Sequence, residues 1–370
     1  MSNDTNNWHF ARPELAKHYL SLFKLGLTSA RGLFARRRMG KTEFLKKDFI
    51  PAAKTENYIT VYVNLWELES DPAIAIVSEM YKAIEPKGFS KIWPNLKLSV
   101  SKFKASGKIA AIGEASIETD LSKNDRTMGT LLMEAMTAFD KTKTRLMLII
   151  DEAQVLAYEE NVHFAHSLRA ALDIRKDRIK VIFAGSSETT LRRMFGVSSE
   201  PFFNWAPLEP FELLGKEFVA MMVKQVSAIS KYPLLLSDAM ESFAQLNNTP
   251  EFFRRYIEEY IMSPQKGSAN ALEITKSKVF SDESFKRQWD TLLPADQVTL
   301  SLIANGASDL HSKSTLQRLG RELGVGDSVD KNTMHNALRR LGNKNILTKI
   351  GYGSYQFEDE AFADWVRHME

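Results

Sequence analysis

The sequence contains no cysteine. That one absence removes disulfides, thiolate zinc sites and thiol nucleophiles together. Long apolar runs are missing too: the longest, such as 146–150, fall far short of the roughly 20 residues a membrane span requires. Residues 1–8 are polar and carry no apolar leader core, so a cytoplasmic protein without membrane partners is expected. A strong charge of either sign is also lacking. With 49 Lys and Arg against 46 Asp and Glu, the net is +3, too small to dictate a nucleic-acid partner by itself. The seven histidines do not cluster. His163 and His166 share one face of an expected helix, but no HExxH pattern surrounds them, and surface or packing roles suffice. No repeat period or low-complexity tract is visible, which argues against a solenoid.

What is present is material for an ordinary globular core. At 370 residues and 44% hydrophobic, the chain has enough apolar surface to fold as two or three domains without a metal staple. Its first half alternates strand and helix patterns. Leu15, Tyr19, Leu20 and Phe23 recur at helical spacing over 13–24, and 32–34 reads as a short buried strand. Gly40 opens a helix expected to end at Phe49, because Pro51 disfavours helical geometry at Ile50. YITVYVN at 58–64, RLMLIID at 145–151 and IKVIFAG at 179–185 read as strands; 71–84, 128–140 and 161–175 read as helices. Such alternation predicts a largely parallel sheet flanked by helices. Residues 85–126 interrupt it with Lys87, Lys91, Lys97, Lys102, Lys104 and Lys108, interleaved with Phe89, Trp93 and Phe103. That insert suits contact with a nucleic-acid backbone, and equally a solvated hairpin with its aromatics turned inward. Residues 211–262 read as helical with a new start at Pro250, SPQKGSAN at 263–270 as a linker, and 273–293 as a further helix.

The chemistry concentrates at three strand ends. Ala35-Arg36-Arg37-Arg38-Met39-Gly40-Lys41-Thr42, followed by Glu43, fits the phosphate-cradling pattern G-x-x-x-x-G-K-[ST] with alanine in the first place. Main-chain N–H groups of such a loop enclose phosphate oxygens, Lys41 is a mobile cation for the β and γ phosphates, and the Thr42 hydroxyl is a Mg²⁺ ligand. Asp151 and Glu152 close an apolar strand, where doubly wound sheets place their ligands. Asp151 is expected to hold Mg²⁺ from a strand neighbouring the loop, and Glu152 to orient and deprotonate a water. After the strand 179–185 comes Ser186-Ser187-Glu188, where a polar side chain, Ser186 first, is expected to sense the γ phosphate or position the water, against or alongside a serine N-cap for a helix at 189–195.

These pieces together resemble the AAA+/STAND-type archaeal ATPases, relatives of the origin-recognition ATPases. The resemblance rests on FARPEL at 10–15, RRMGKT at 37–42, IIDEAQ at 149–154, FAGSS at 183–187, and YQFED at 355–359 followed by Trp365. It implies ATP as the nucleotide, a P-loop (ASCE) parallel sheet, a helical lid and a C-terminal winged helix. The boundaries expected are 1–208, 209–275 and 276–370. In the lid, Asn248-Thr249-Pro250 replaces the usual G-x-P turn, and Arg254 or Arg255 is the candidate lid arginine, against the plainer reading of a solvated helix face. Arg192 and Arg193 are candidates for a contact in trans.

Helical patterns at 296–304, 314–323 and 331–341, then strands at 346–350 and 355–357 around Gly351-Tyr352-Gly353-Ser354, independently give three helices plus a hairpin. In a winged helix, Lys331, Asn332, His335, Asn336, Arg339 and Arg340 would offer groove contacts, with Lys344, Lys349 and Tyr352 on phosphates. The same module can instead pack on a protein. Three functions therefore stand: an ATP-hydrolysing switch acting on or near DNA, a nucleotide-gated interaction module that recruits an effector protein, and a winged-helix transcription regulator that merely binds nucleotide, against which Glu152 argues. Oligomerisation is open in all.

Overall fold

The computed structural model describes residues 8–68, 71–84, 121–279, 282–307, 309–326, 329–344, 346–351, 354–367 and 369. They divide into two compact units. The first comprises Ala11–Ala35 and Lys41–Phe211; the second comprises residues 8–10, Arg36–Gly40 and the described residues from Glu212 onward. The lysine-rich stretch of the insert, 87–108, and its interleaved aromatics lie outside the described residues.

The first unit is built on five parallel strands: β1 (Ala30–Phe34), β2 (Tyr58–Asn64), β3 (Arg145–Asp151), β4 (Ile179–Gly185) and β5 (Leu208–Pro210), in the order β2-β3-β4-β1-β5. The near-continuous apolar runs of β3 and β4 follow from burial on both faces. Leu146, Leu148 and Ile150 join one core with Met80, Met136 and Phe139, while Met147 and Ile149, on the opposite face of the same strand, are just as buried. Helices α1 (Pro13–Lys24), α4 (Pro72–Ile84), α5 (Leu121–Asp140), α6 (Val162–Asp173) and α7 (Glu188–Gly196) accompany the sheet. Helix α5 begins seven positions before the expected 128, inside the stretch assigned to the insert.

Two local expectations are corrected here. The helix after the phosphate loop does not stop at Phe49. Its first turn, α2 (Lys41–Phe44), widens into a π turn over Leu45–Phe49 and resumes as α3 (Ile50–Thr55). Pro51 falls in the first turn of α3, where a missing N–H costs nothing, and the Ile50 N–H reaches back to the Leu45 carbonyl across the wide turn. The phenyl rings of Phe44 and Phe49 thereby both reach Tyr19 of α1, at centroid distances of 6.1 and 6.5 Å. The second correction concerns topology. β4 lies between β1 and β3, so Asp151 is not on the strand neighbouring the loop but one strand further across.

In the second unit, α8 (Lys216–Ile229), α9 (Leu236–Gln245), α10 (Pro250–Met262) and α11 (Gly267–Val279) enclose a core of Phe218, Phe243, Phe253 and Tyr256. The segment 263–270 is no open linker. A 3₁₀ turn, Pro264–Lys266, and Gly267 at φ +84° reverse the chain, and α11 starts at once. The Pro and Gly that suggested a linker serve a tight helix-to-helix turn. The expected helix over 273–293 is likewise two, α11 and α12 (Asp282–Asp290).

A separate core gathers Leu300, Leu319, Met334, Leu341, Phe362 and Trp365. Around it lie α13 (Pro294–Ala304), α14 (Lys313–Glu322), α15 (Lys331–Asn343), the antiparallel pair β6 (Leu347–Gly351) and β7 (Ser354–Phe357), and a closing helix, α16 (Glu360–Arg367). Ser312 caps α14 by accepting from the Thr315 N–H, and Asp330 caps α15 by accepting from Asn332. Among the described residues no helix is long and apolar enough to cross a membrane.

Candidate active site

Parallel register brings the C-terminal strand ends level. Phe34 of β1 pairs with Gly185 of β4, and Ile150 of β3 pairs with Phe183, so Ala35, Asp151 and Ser186 emerge along one edge of the sheet. This is the edge at which open parallel sheets bind ligands.

Lys41 is buried at 6% exposure, and its ammonium donates to the carbonyl oxygens of Gly185 at 2.9 Å and Ala35 at 3.4 Å. Thr42 donates its hydroxyl to Asp151 Oδ2 at 2.6 Å. The same oxygen accepts from the Tyr62 hydroxyl at 2.8 Å, while Oδ1 accepts from the Glu152 N–H at 3.1 Å. Asp151 is 1% exposed, so these donors are what make its burial tolerable. Burial, then the charge of Asp151 and the hydrogen bond to it, push the Tyr62 phenol well above its ordinary value, so it stays a neutral donor. The Lys46 ammonium lies 4.5 Å from the Tyr62 ring centroid.

Glu152 adopts the left-handed conformation, φ +55° and ψ +43°, directly after the strand. Its Oε2 accepts from Ser186 Oγ at 2.9 Å and from Gln154 Nε2 at 2.7 Å. Ser186 does not cap the following helix; Ser187 does, by accepting from the Thr190 N–H. Sequence reasoning placed Lys41, Thr42, Asp151, Glu152 and Ser186, which the fold gathers, but missed Tyr62 and Gln154. Gln154 stood inside the IIDEAQ string, and period-two alternation in β2 set Tyr62 opposite the inward Val61 and Val63.

The donor set fits a hard divalent cation. Thr42 Oγ1 and Asp151 Oδ2 are both oxygen donors within one hydrogen bond of each other, and Mg²⁺ takes few protein ligands, completing its shell with substrate oxygens and water. No cluster of three or more His, Asp or Glu suited to a metal occurs among the described residues.

Other candidates are placed differently. Glu43 pairs with Lys47 at 2.8 Å. In the second unit, Arg38 sits at φ +67° and Gly40 at φ +82°. The left-handed turn is thus one reason for glycine at position 40. The Arg38 guanidinium lies 3.2 Å from Asp359 and 3.7 Å from Glu251, and Arg36, Arg37 and Met39 line the same hollow with Thr249 and Phe252. Arg254 donates to the Trp8 carbonyl at 3.1 Å, and Arg255 pairs with Glu251. Arg192 pairs with Glu188 and Arg193 with Glu200. On α15, Lys331, Asn332, His335 and Arg339 are exposed and Asn336 is half-buried. Arg340 instead forks onto Asp296, at 2.6 and 3.0 Å, and Asp296 is 1% exposed. That commitment gives Arg340 a structural partner the sequence did not suggest. Lys349 lies in β6, and its side chain and Tyr352 fall outside the described residues.

The fold that carries the lysine–threonine pair after β1 and the acidic pair after β3 is similar to that of solved ATPases, origin-recognition proteins among them. Solved structures of similar fold include a Walker-type ATPase of Pyrococcus abyssi, 18% identical over 98% of this chain and 97% of that one, with a TM-score of 0.58. They also include two Aeropyrum pernix proteins. ORC2, in ADPNP–ADP complexes, is 13% identical over 96% of this chain and 93% of that one, at TM-score 0.56. ORC1, in complex with DNA, is 10% identical over 98% and 94%, at 0.51. No family model and no curated protein sequence matches the chain.

Proposed function

We propose that the chain is a Mg²⁺-dependent ATPase that works as a molecular switch on or near DNA. The observation that carries this reading is the convergence at one sheet edge of Thr42, Asp151, Glu152 and Ser186, each hydrogen-bonded to the next, beside Lys41, whose ammonium is held by the Gly185 carbonyl. Lys41 binds phosphate oxygens and neutralises their charge; Thr42 and Asp151 hold the cation. When bound, Mg²⁺ supplies charge stabilisation at the phosphates. Glu152 accepts the proton of the attacking water, and Ser186 fixes the carboxylate that does so. The ATPases of similar fold support the nucleotide; their low identity leaves turnover to this chain's own residues.

Phosphate release from ATP by the purified protein tests the reading. Glu152→Gln is expected to retain nucleotide binding and lose about 10²–10⁴-fold in turnover; hydrolysis at the parental rate would remove the general base. Lys41→Ala is expected to lose binding itself.

The DNA half of the proposal rests on the three-helix-plus-hairpin module, read as a winged helix, and on exposed Lys331, Asn332 and Arg339 along α15. Removing Lys331 and Arg339 together should lower the slope of log K against log salt by about 2, as two phosphate contacts are lost. The engagement of Arg340 with Asp296 favours a second reading, in which the module contacts an effector protein. An unchanged salt slope, with ATPase activity indifferent to duplex DNA, would select that reading.

A further inference from the structure

We propose that Gln154 is a positioning residue for Glu152, a role that rests on Glu152 being the base. Gln154 is 0% exposed, and its Nε2 donates both to Glu152 Oε2 at 2.7 Å and to Ser186 Oγ at 3.2 Å. Ser186 in turn donates to the same Oε2. The three side chains close a ring of hydrogen bonds that fills one carboxylate oxygen and leaves Oε1 as the oxygen for a water proton. The amide can face only this way, because turned over its Oε1 would point at an acceptor-only carboxylate.

The arrangement has a cost that a packing residue would not carry. Gln154 Oε1 is buried with no hydrogen-bond partner among the described residues. It also occupies space that exists only because residue 185 is glycine: a Cβ there would lie 2.3 Å from Gln154 Oε1 and 2.9 Å from Leu191 Cδ1. A methionine would fill the same volume without the stranded oxygen. The amide is kept for its donors, and those donors serve Glu152.

Gln154→Met in the full chain separates positioning from packing. Methionine keeps length and apolar bulk but removes both N–H donors. The expected result is a kcat for ATP hydrolysis reduced at least ~10-fold, the scale of one hydrogen bond to a charged group, with KM for Mg-ATP changed less than about 2-fold. The melting temperature of the nucleotide-free protein should not fall. In a Glu152→Gln background, adding Gln154→Met should leave the residual rate unchanged, since the two act as one unit. A parental kcat in Gln154→Met beside an inactive Glu152→Gln overturns the positioning role alone. A lowered melting temperature with kcat and KM disturbed together overturns it in favour of packing. Parental hydrolysis by Glu152→Gln overturns the assignment of the base, and this inference with it.

Discussion

Asp151 shows how much of the site depends on side chains that do no chemistry. A carboxylate 1% exposed survives only if its lone pairs are met, and Thr42, Tyr62 and the Glu152 N–H meet them. Tyr62→Phe keeps the ring, and the Lys46 contact to it, but deletes one donor. Unfolding by denaturant should show a loss of about 1.5–3 kcal/mol with an unchanged m-value; an unchanged midpoint would mean water replaces the phenol. Lys41, Thr42, Asp151, Glu152 and Ser186, which the fold gathers, were readable from sequence, because the phosphate-cradling pattern and an acidic strand end permit few residue types at few spacings. Tyr62 and Gln154 were not, because a buried partner is chosen by three-dimensional proximity: Tyr62 is 89 positions from the oxygen it serves. Spacing along the chain carries no trace of that.

Elements were legible where one period dominates. The buried strands β3 and β4 and the helix α15 were read almost to the residue from apolar patterning. Two failures fell where a proline or glycine had two possible meanings, as at Pro51 in the first turn of α3 and at Gly267 in a tight reversal. The ion pair between α13 and α15 bears on how the proposed DNA contact of α15 is tested. Arg340→Ala leaves a buried Asp296 unpaired and should destabilise the C-terminal module by about 3–5 kcal/mol, seen as a lowered melting temperature. DNA affinity lost in that variant would therefore report unfolding, and Lys331 and Arg339 are the informative positions. A second check concerns the first unit. Burial works against ionisation of Asp173, but donors from Lys176, Arg169 and the Trp205 indole outweigh it and hold the carboxyl below its ordinary 3.8. A lowered folded pKa stabilises above the unfolded value and is lost as pH falls through the folded one. The melting temperatures of the parent and Asp173→Asn should differ at neutral pH and converge below about pH 4; a constant gap would place the effect in packing alone.

At the scale of the molecule, the two units carry separate cores, and only the first holds the lysine, threonine and acidic pair. Ligand binding to the native state alone stabilises by mass action, about 2.7 kcal/mol at a hundredfold excess over Kd. Mg-ATP should therefore raise the parental melting temperature by several degrees and leave Lys41→Ala unmoved. An equal rise in both would place the nucleotide elsewhere. The fold class was the most legible level of all, since alternating strand and helix patterns admit few topologies. The interposed β4 was not readable, because strand order is set by crossover geometry and leaves no mark on any single segment.

The Gly185 carbonyl accepts from the Ala35 N–H at 3.3 Å and from the Lys41 ammonium at 2.9 Å. The Lys41 ammonium is solvated by protein. Any anion that attracts it must compete with main-chain oxygens, those of Gly185 and Ala35 among its partners, so affinity measures an exchange of partners rather than the strength of a new bond. Changes that merely weaken the resting grip would tighten ligand capture without touching a single ligand contact.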